Sequence, residues 1–548
     1  GYGDLDGWGH DEVAKVEGNI AISISDDAKV NGSVYGGGKG NENKEGAAKV
    51  TGDIRIEMSG AIIGNKSDTG DRVFGGGDLG QVDGGIYIDI GNGSTICGTI
   101  YGGGKGGDDE NSGYVQAVNG SVTLLVSDSN VSGSIFGGGM KGSVDADAIL
   151  IQLENSSVTG AVFGGGMGST IDSSIAEVTS DEIIINLSST TVGQTSVQYA
   201  VFGGGAAAYT TAEHVTINLR NGSTINGDIY GGGYGTLPGY QEPTEAESKP
   251  IITNQRDVEI LLNGATVNGS IYGGSRAGQD VIQETTADQK YGDVHIYLQS
   301  GVVMQGVYGG GFLGKSYMNS HIYVGSSAVA LTGEAPYIAS GSRPDLRLNN
   351  IYGGGNLNSP TEVDNILLYG TSEISISGGS VRTGSLDFDG YHMPGSGEES
   401  NVPKLSIYGD IFGEGNYSLV KGNSTIEIRE YNQNNTYYIQ SIQRADSVYI
   451  GDANIYLDGS ADGTSNGVSV LVSLNSIGNL TLEGGVVLEL GAQTSGISEF
   501  YSMIGSRQAT DADYTEGDPS SGNKVILHDG RLLMVLGPDD TGYTDGYN

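Results

Sequence analysis

The chain has 548 residues, 97 of them glycine and only 10 proline, and its 66 acidic against 26 basic side chains give a formal net charge of −40. That balance excludes a basic stripe able to displace counterions from phosphates, so nucleic acid is not an expected partner, and glycine without a Gly-X-Y period excludes collagen. The lone Cys97 excludes an intrachain disulfide, and no apolar run reaches the roughly 18 residues of a membrane-crossing helix, so this segment is not expected to insert in a membrane.

The chain opens on Gly1-Tyr2-Gly3, which matches Gly233-Tyr234-Gly235 further on. This reads as the tail of a repeat, and the chain is therefore expected to be part of a longer polypeptide. From Ile20 onward, apolar and polar residues alternate in short runs: Ile20/Ile22/Ile24, Ile54/Ile56/Met58, Ile86/Ile88/Ile90, Val122/Leu124/Val126, Val215/Ile217/Leu219 and Val294/Ile296/Leu298. A period of two over five residues predicts a half-buried strand. Asn-Gly or Ser-Gly turns follow, as in Val30-Asn31-Gly32 and Val131-Ser132-Gly133, and mark a second short strand.

The third element is a signature, Val or Ile, then an aromatic, then glycines. Its aromatic falls at Tyr35, Phe74, Tyr101, Phe136, Phe163, Phe202, Tyr230, Tyr272, Tyr308, Tyr352 and Phe412. Its glycines are expected to supply the positive backbone dihedrals of a sharp corner. Such self-similarity predicts an all-β chain folded as a right-handed parallel β-helix, or β-solenoid, with three short strands per coil. The aligned aromatics would then stack as a ladder packed in the core or at a corner, and the high negative charge favours a soluble monomer.

Segments between a signature and the next strand alternate long and short. The long ones, 39–49, 105–119, 167–181, 234–256 and 275–293, should leave one corner as a row of loops, where binding residues concentrate. Residues 1–355 read as regular repeats, 356–429 as irregular coils with a long insertion, and 430–548 as divergent coils and a cap that still carry strands at Val525-Ile526-Leu527 and Leu532–Leu536.

Candidate binding residues are the aromatics in or beside loops: Trp8, Tyr114, Tyr234, Tyr240 and Tyr291, whose rings could stack on sugars or anchor a protein surface. Gly103-Gly104-Lys105-Gly106-Gly107-Asp108, followed by Asp109 and Glu110, has the spacing of one calcium-binding nonapeptide repeat. Calcium needs six to eight oxygens, normally from tandem copies, so Asp108, Asp109 and Glu110 form an incomplete set and no other cofactor is expected. Asp387 and Asp389 beside Arg382 are the one carboxylate pair with the flavour of polysaccharide-cleaving chemistry. His10, His214, His295, His321, His392 and His528 are dispersed, which favours neither zinc nor a nucleophile–base pair.

The Ile/Val-aromatic-Gly-Gly-Gly repeats resemble those of β-helical, adhesin-like surface proteins of Gram-positive gut bacteria. The stretch Leu480-Thr481-Leu482-Glu483-Gly484-Gly485 is similar to the autotransporter-like repeats of such chains. The resemblance implies export, attachment to the cell surface through other regions, and binding of a host or microbial surface glycan or protein. A non-enzymatic adhesin or stalk is thus expected, with a carbohydrate-active β-helix enzyme or a passive spacer as the alternatives.

Overall fold

The structure, a computed structural model, describes residues 15–40, 48–65, 70–107, 114–169, 176–195, 199–235, 253–277, 279–280, 292–337, 345–357, 366–377, 404–407, 409–429, 441–451, 455–456, 473–483, 487–490, 525–528 and 531–534. The chain divides into two compact units, Gly1–His295 with Gly310–Asn319, and Ile296–Gly309 with Ser320–Asn548. This division coincides with neither 355 nor 429, the boundaries read from the sequence. The fold is all-β with parallel pairing; the single helix among the described residues is Ser326–Thr332, and none is long and apolar enough to cross a membrane.

In the first unit the alternating strands pair residue for residue between repeats. Ile20 lies beside Ile54, Ile54 beside Ile86, Ile86 beside Val122, Val122 beside Ile149, Ile149 beside Ile183, Ile183 beside Val215, and Val215 beside Val258. From Ile54 to Val258 these side chains are at most 2% exposed. Full burial of each contributes roughly 1.5–3 kcal/mol, and a one-residue slip would turn the whole apolar set outward, so the alternation fixes the register.

The short strands after the turns form a second parallel series from Lys29–Val30 to Thr224–Ile225. The signature strands form a third, from Val34–Tyr35 to Ile271–Tyr272. Between the first and second series, buried hydroxyls carry backbone N–H groups from one repeat to the next. Ala61 N donates to Ser94 Oγ at 3.1 Å, Ser129 N to Ser156 Oγ at 3.1 Å, and Thr190 N to Ser223 Oγ at 3.2 Å. A corner whose amides face the interior needs such acceptors, because an unsatisfied buried N–H costs about 1–3 kcal/mol.

The signature rings stack as the sequence predicts. From Tyr35 to Tyr272 successive centroids are 4.5–5.1 Å apart with planes within 9°. The ladder is interior: Phe74, Phe163, Phe202 and Tyr230 have no exposed surface. Burial pushes the Tyr101 phenol up to about 12, and burial followed by Asp410 pushes Tyr352 to about 12 as well.

Because the folded phenol holds its proton above the unfolded value of 10.0, stability is complete below pH 10 and falls as pH rises toward about 12. The expected loss is about 2 to 3 kcal/mol for each such tyrosine. Denaturant midpoints followed beside tyrosinate absorbance check it; a midpoint flat across that window contradicts it.

Two expectations are corrected. The signature glycines do not adopt positive φ; Gly75, Gly102 and Gly137 are absent from the left-handed region, which holds turn residues such as Asn92, Gly93, Asn221 and Gly222 instead. Glycine is required in the signature by contact, since a Cβ on Gly75 would lie 2.2 Å from the Gly102 carbonyl oxygen and 2.4 Å from Ile86 Cγ2. The first strands are also longer than five residues. Val144–Glu154 and Val178–Ser188 each run 11 residues, and their pairing steps over Asp147 and Asp181, where the inward alternation resets.

In the second unit, Asp345–Tyr352 pairs with Lys404–Ile407 and Asp410–Phe412. Ser372–Ser377 lies between residues 320–325 and Ser424–Arg429. Ser441–Gly451 follows, then Ser473–Glu483 and Val525–His528. Within this unit Tyr308, Tyr352 and Phe412 stack in turn, with centroids 4.6 and 4.8 Å apart.

Candidate functional site

From Phe74 to Tyr308, the residue four positions after the signature aromatic joins a further parallel column: Asp78, Lys105, Met140, Met167, Ala206, Tyr234, Arg276 and Phe312. The connecting segments that follow Phe74, Tyr101, Phe136, Phe163, Phe202, Tyr230 and Tyr272 therefore leave past one column. The column also covers the ladder. Lys105 Nζ donates to Asp78 Oδ1 at 2.8 Å, and Tyr101 Oη donates to Met167 Sδ at 3.2 Å.

Tyr234 belongs to this column and is corrected as an exposed binding candidate. It is 2% exposed, stacked on Phe202 at 5.5 Å and tilted against Tyr199 at 5.0 Å, because the column turns its ring onto the ladder. Tyr114 is half-buried with its hydroxyl 3.5 Å from Asp145 Oδ2, and burial, then Asp145, raises its pKa. Trp8, Tyr240, Tyr291, Asp108, Asp109, Glu110, Arg382, Asp387 and Asp389 lie outside the described residues. Among the described residues no group of three His, Cys, Asp or Glu side chains is arranged to hold a metal ion.

Sequence reasoning missed the centre at Arg276. Its Nη1 donates to Tyr230 Oη at 3.1 Å and lies 3.7 Å from Asp228 Oδ2, while Tyr230 Oη donates to the same carboxylate oxygen at 3.0 Å. The other oxygen of Asp228 accepts Ser270 N at 2.7 Å. The guanidinium carbon sits 5.2–5.8 Å from the ring centres of Tyr199, Tyr230, Tyr234 and Phe312. Burial, then the Asp228 carboxylate, pushes the Tyr230 phenol well above its ordinary value. Arg276 is 4% exposed, so this centre ties repeats together and offers nothing to a partner. The available signal was the Gly-Gly-Ser-Arg that breaks the Gly-Gly-Gly run at 273–276.

Exposed chemistry lies on the outward face of the first-strand series. In the first unit, Arg55 rests 4.3 Å above the Tyr87 ring and pairs with Glu57 at 2.6 Å. Asp147, Asp181 and Glu213 are exposed where successive pairings step over one residue.

In the second unit, Tyr297 and Tyr323 stack at 5.4 Å with planes 13° apart. His321 lies parallel to Tyr323 at 6.2 Å, and its Nδ1 is 3.1 Å from Glu373 Oε2. In the next positions of the Tyr323 row come Ser375, Glu427 and Tyr449, with Arg429 4.4 Å over Tyr449 and paired to Glu427. These residues were legible as outward strand positions, but nothing in one strand shows which outward residues of other strands stand beside them. No family model, curated protein or solved structure matches the chain.

Proposed function

We propose that each unit is a right-handed parallel β-helix with three short strands per coil, and that the chain is a non-enzymatic extracellular adhesin or stalk. It would present side chains and loops to a host or microbial surface glycan or protein. The observation that carries this reading is the residue-for-residue parallel register. Parallel pairing of equivalent positions sets outward side chains in rows about 4.8 Å apart on a backbone whose hydrogen bonds resist deformation. Rows of half-exposed aromatic and charged groups suit many shallow contacts, and repeated weak contacts give avidity without a deep pocket.

The carbohydrate-active alternative would draw on Asp147, Asp181 and Glu213, the exposed carboxylates at which successive pairings step over one residue. Arrays of glycans and surface proteins probed with the intact chain, alongside product analysis on polysaccharides, test the choice. Retained binding without depolymerisation is expected. Absence of binding to every probe, or release of sugar products, overturns the adhesin reading.

A further inference from the structure

We infer that the outward face of the first unit, where Val115–Ser127, Val144–Glu154, Val178–Ser188 and Thr210–Arg220 lie side by side, docks a cationic amphipathic helix of a partner protein. This rests on the adhesin reading and deepens it. Thr123, Leu150, Ile184 and Thr216 stand in one outward row, each in direct register with the next. All four are partly exposed, and so is Leu125 beside them. Three strand spacings make the row roughly 14 Å long, which a helix of about ten residues covers.

The fold does not require apolar side chains in this row. Layers on either side place Arg55, Tyr87 and Glu259 at the equivalent position. Leu150 and Ile184 therefore hold apolar surface in water where the strand accepts a charge, and burying that surface under a partner's apolar stripe is favourable.

Charge identifies the partner. Asp147 and Asp181 stand level where the pairing of their strands steps over one residue, and both are exposed. Glu182 is exposed as well, two residues before Ile184 and roughly 7 Å from it along the same face. Among the described residues no lysine or arginine pairs with these three carboxylates. Like charges on adjoining strands repel, so cations brought by a partner relieve them. A helix lying along the row with lysine or arginine on one flank meets both features at once, the basic stems resting on aliphatic surface and the heads reaching the carboxylates. A second copy of this chain, with its net charge of −40, would be repelled instead.

The probe is a labelled peptide of leucine and lysine patterned as an amphipathic helix, titrated with the intact chain and followed by fluorescence anisotropy. It should bind about tenfold more tightly than a peptide with serine for each leucine, and than one with glutamate for each lysine. Leu150→Thr with Ile184→Thr, which makes the row threonine throughout, should lower its affinity about tenfold. Asp147→Asn with Asp181→Asn should lower it by a similar factor and flatten its salt dependence. Glu57→Gln with Asp89→Asn removes the same charge elsewhere on the outward face and should leave binding unchanged. Unchanged melting temperatures show that the sheet survives in each variant; if the threonine variant melts early, the asparagine variant decides.

If the serine–lysine peptide binds as tightly, or Glu57→Gln with Asp89→Asn weakens binding as much, net charge alone holds the peptide and the docking face is wrong. If the leucine–glutamate peptide binds as tightly, the carboxylates play no part and the face is wrong likewise. If no peptide binds while a glycan does, the face fails and the adhesin reading stands; if no probe of any kind binds, both fail.

Discussion

Replacing Gly102 with alanine is expected to destabilise the first unit by about 3 kcal/mol or more, the upper range for forcing atoms into a packed interior. A Cβ at this position would stand 2.2 Å from the Gly137 carbonyl oxygen and 2.5 Å from Val122 Cγ1. Gly137 is the equivalent glycine of the next repeat, and its carbonyl is fixed because Gly137 N donates to Phe163 O at 2.9 Å. Neither neighbour can retreat without breaking a ladder bond or opening the ring stack. The backbone conformation itself would accept alanine, which isolates contact as the cause.

The measurement is chemical denaturation of Gly102→Ala beside Gly93→Ala. Gly93 has φ 79° and nothing near its missing Cβ, so its substitution strains a dihedral and creates no clash. Gly93→Ala should cost about 1 kcal/mol, the usual scale for alanine forced into the left-handed region. Equal midpoints for the two variants would refute the contact explanation.

Arg276→Met is expected to cost about 3 kcal/mol, because it leaves Asp228 buried beside a phenol with its cation gone. Asp228 is 9% exposed and keeps its bonds from Tyr230 and Ser270, which is why the loss falls at the low end of the range for breaking a buried pair. The double variant Arg276→Met with Asp228→Asn should recover part of the loss, since the amide needs no counter-charge and still accepts the Ser270 N–H. Denaturation of the four proteins gives the coupling. Additive single effects would mean that Arg276 acts only by filling the aromatic cage.

Strand positions were legible wherever alternation was clean: Ile20, Ile54, Ile86, Val122, Val215 and their partners stand in one row as their spacing implied. Position along the chain also placed the ladder, since a ring at a fixed offset from an alternating strand must meet its equivalent. Three things were not legible. The role of the signature glycines was misread because composition reports a missing Cβ without saying whether dihedral or contact demands it.

Tyr234 begins a long insertion and so reads as a loop residue, although Ala206 and Arg276 pair with it in the same column. The outward neighbours of Tyr323 depend on which strands adjoin across tens of residues, and alternation within one strand carries no such information.

The handover of amides to hydroxyls and carbonyls of the following repeat makes each layer a near-interchangeable template. Val178–Ser188 offers Val144–Glu154 almost the same edge that Val144–Glu154 offers Val115–Ser127. Unequal crossing-over that duplicates or drops a whole layer would therefore join matching edges and leave no orphaned polar group. The number of layers is then free to drift between lineages, while a one-residue slip inside an alternating strand would turn its apolar set outward.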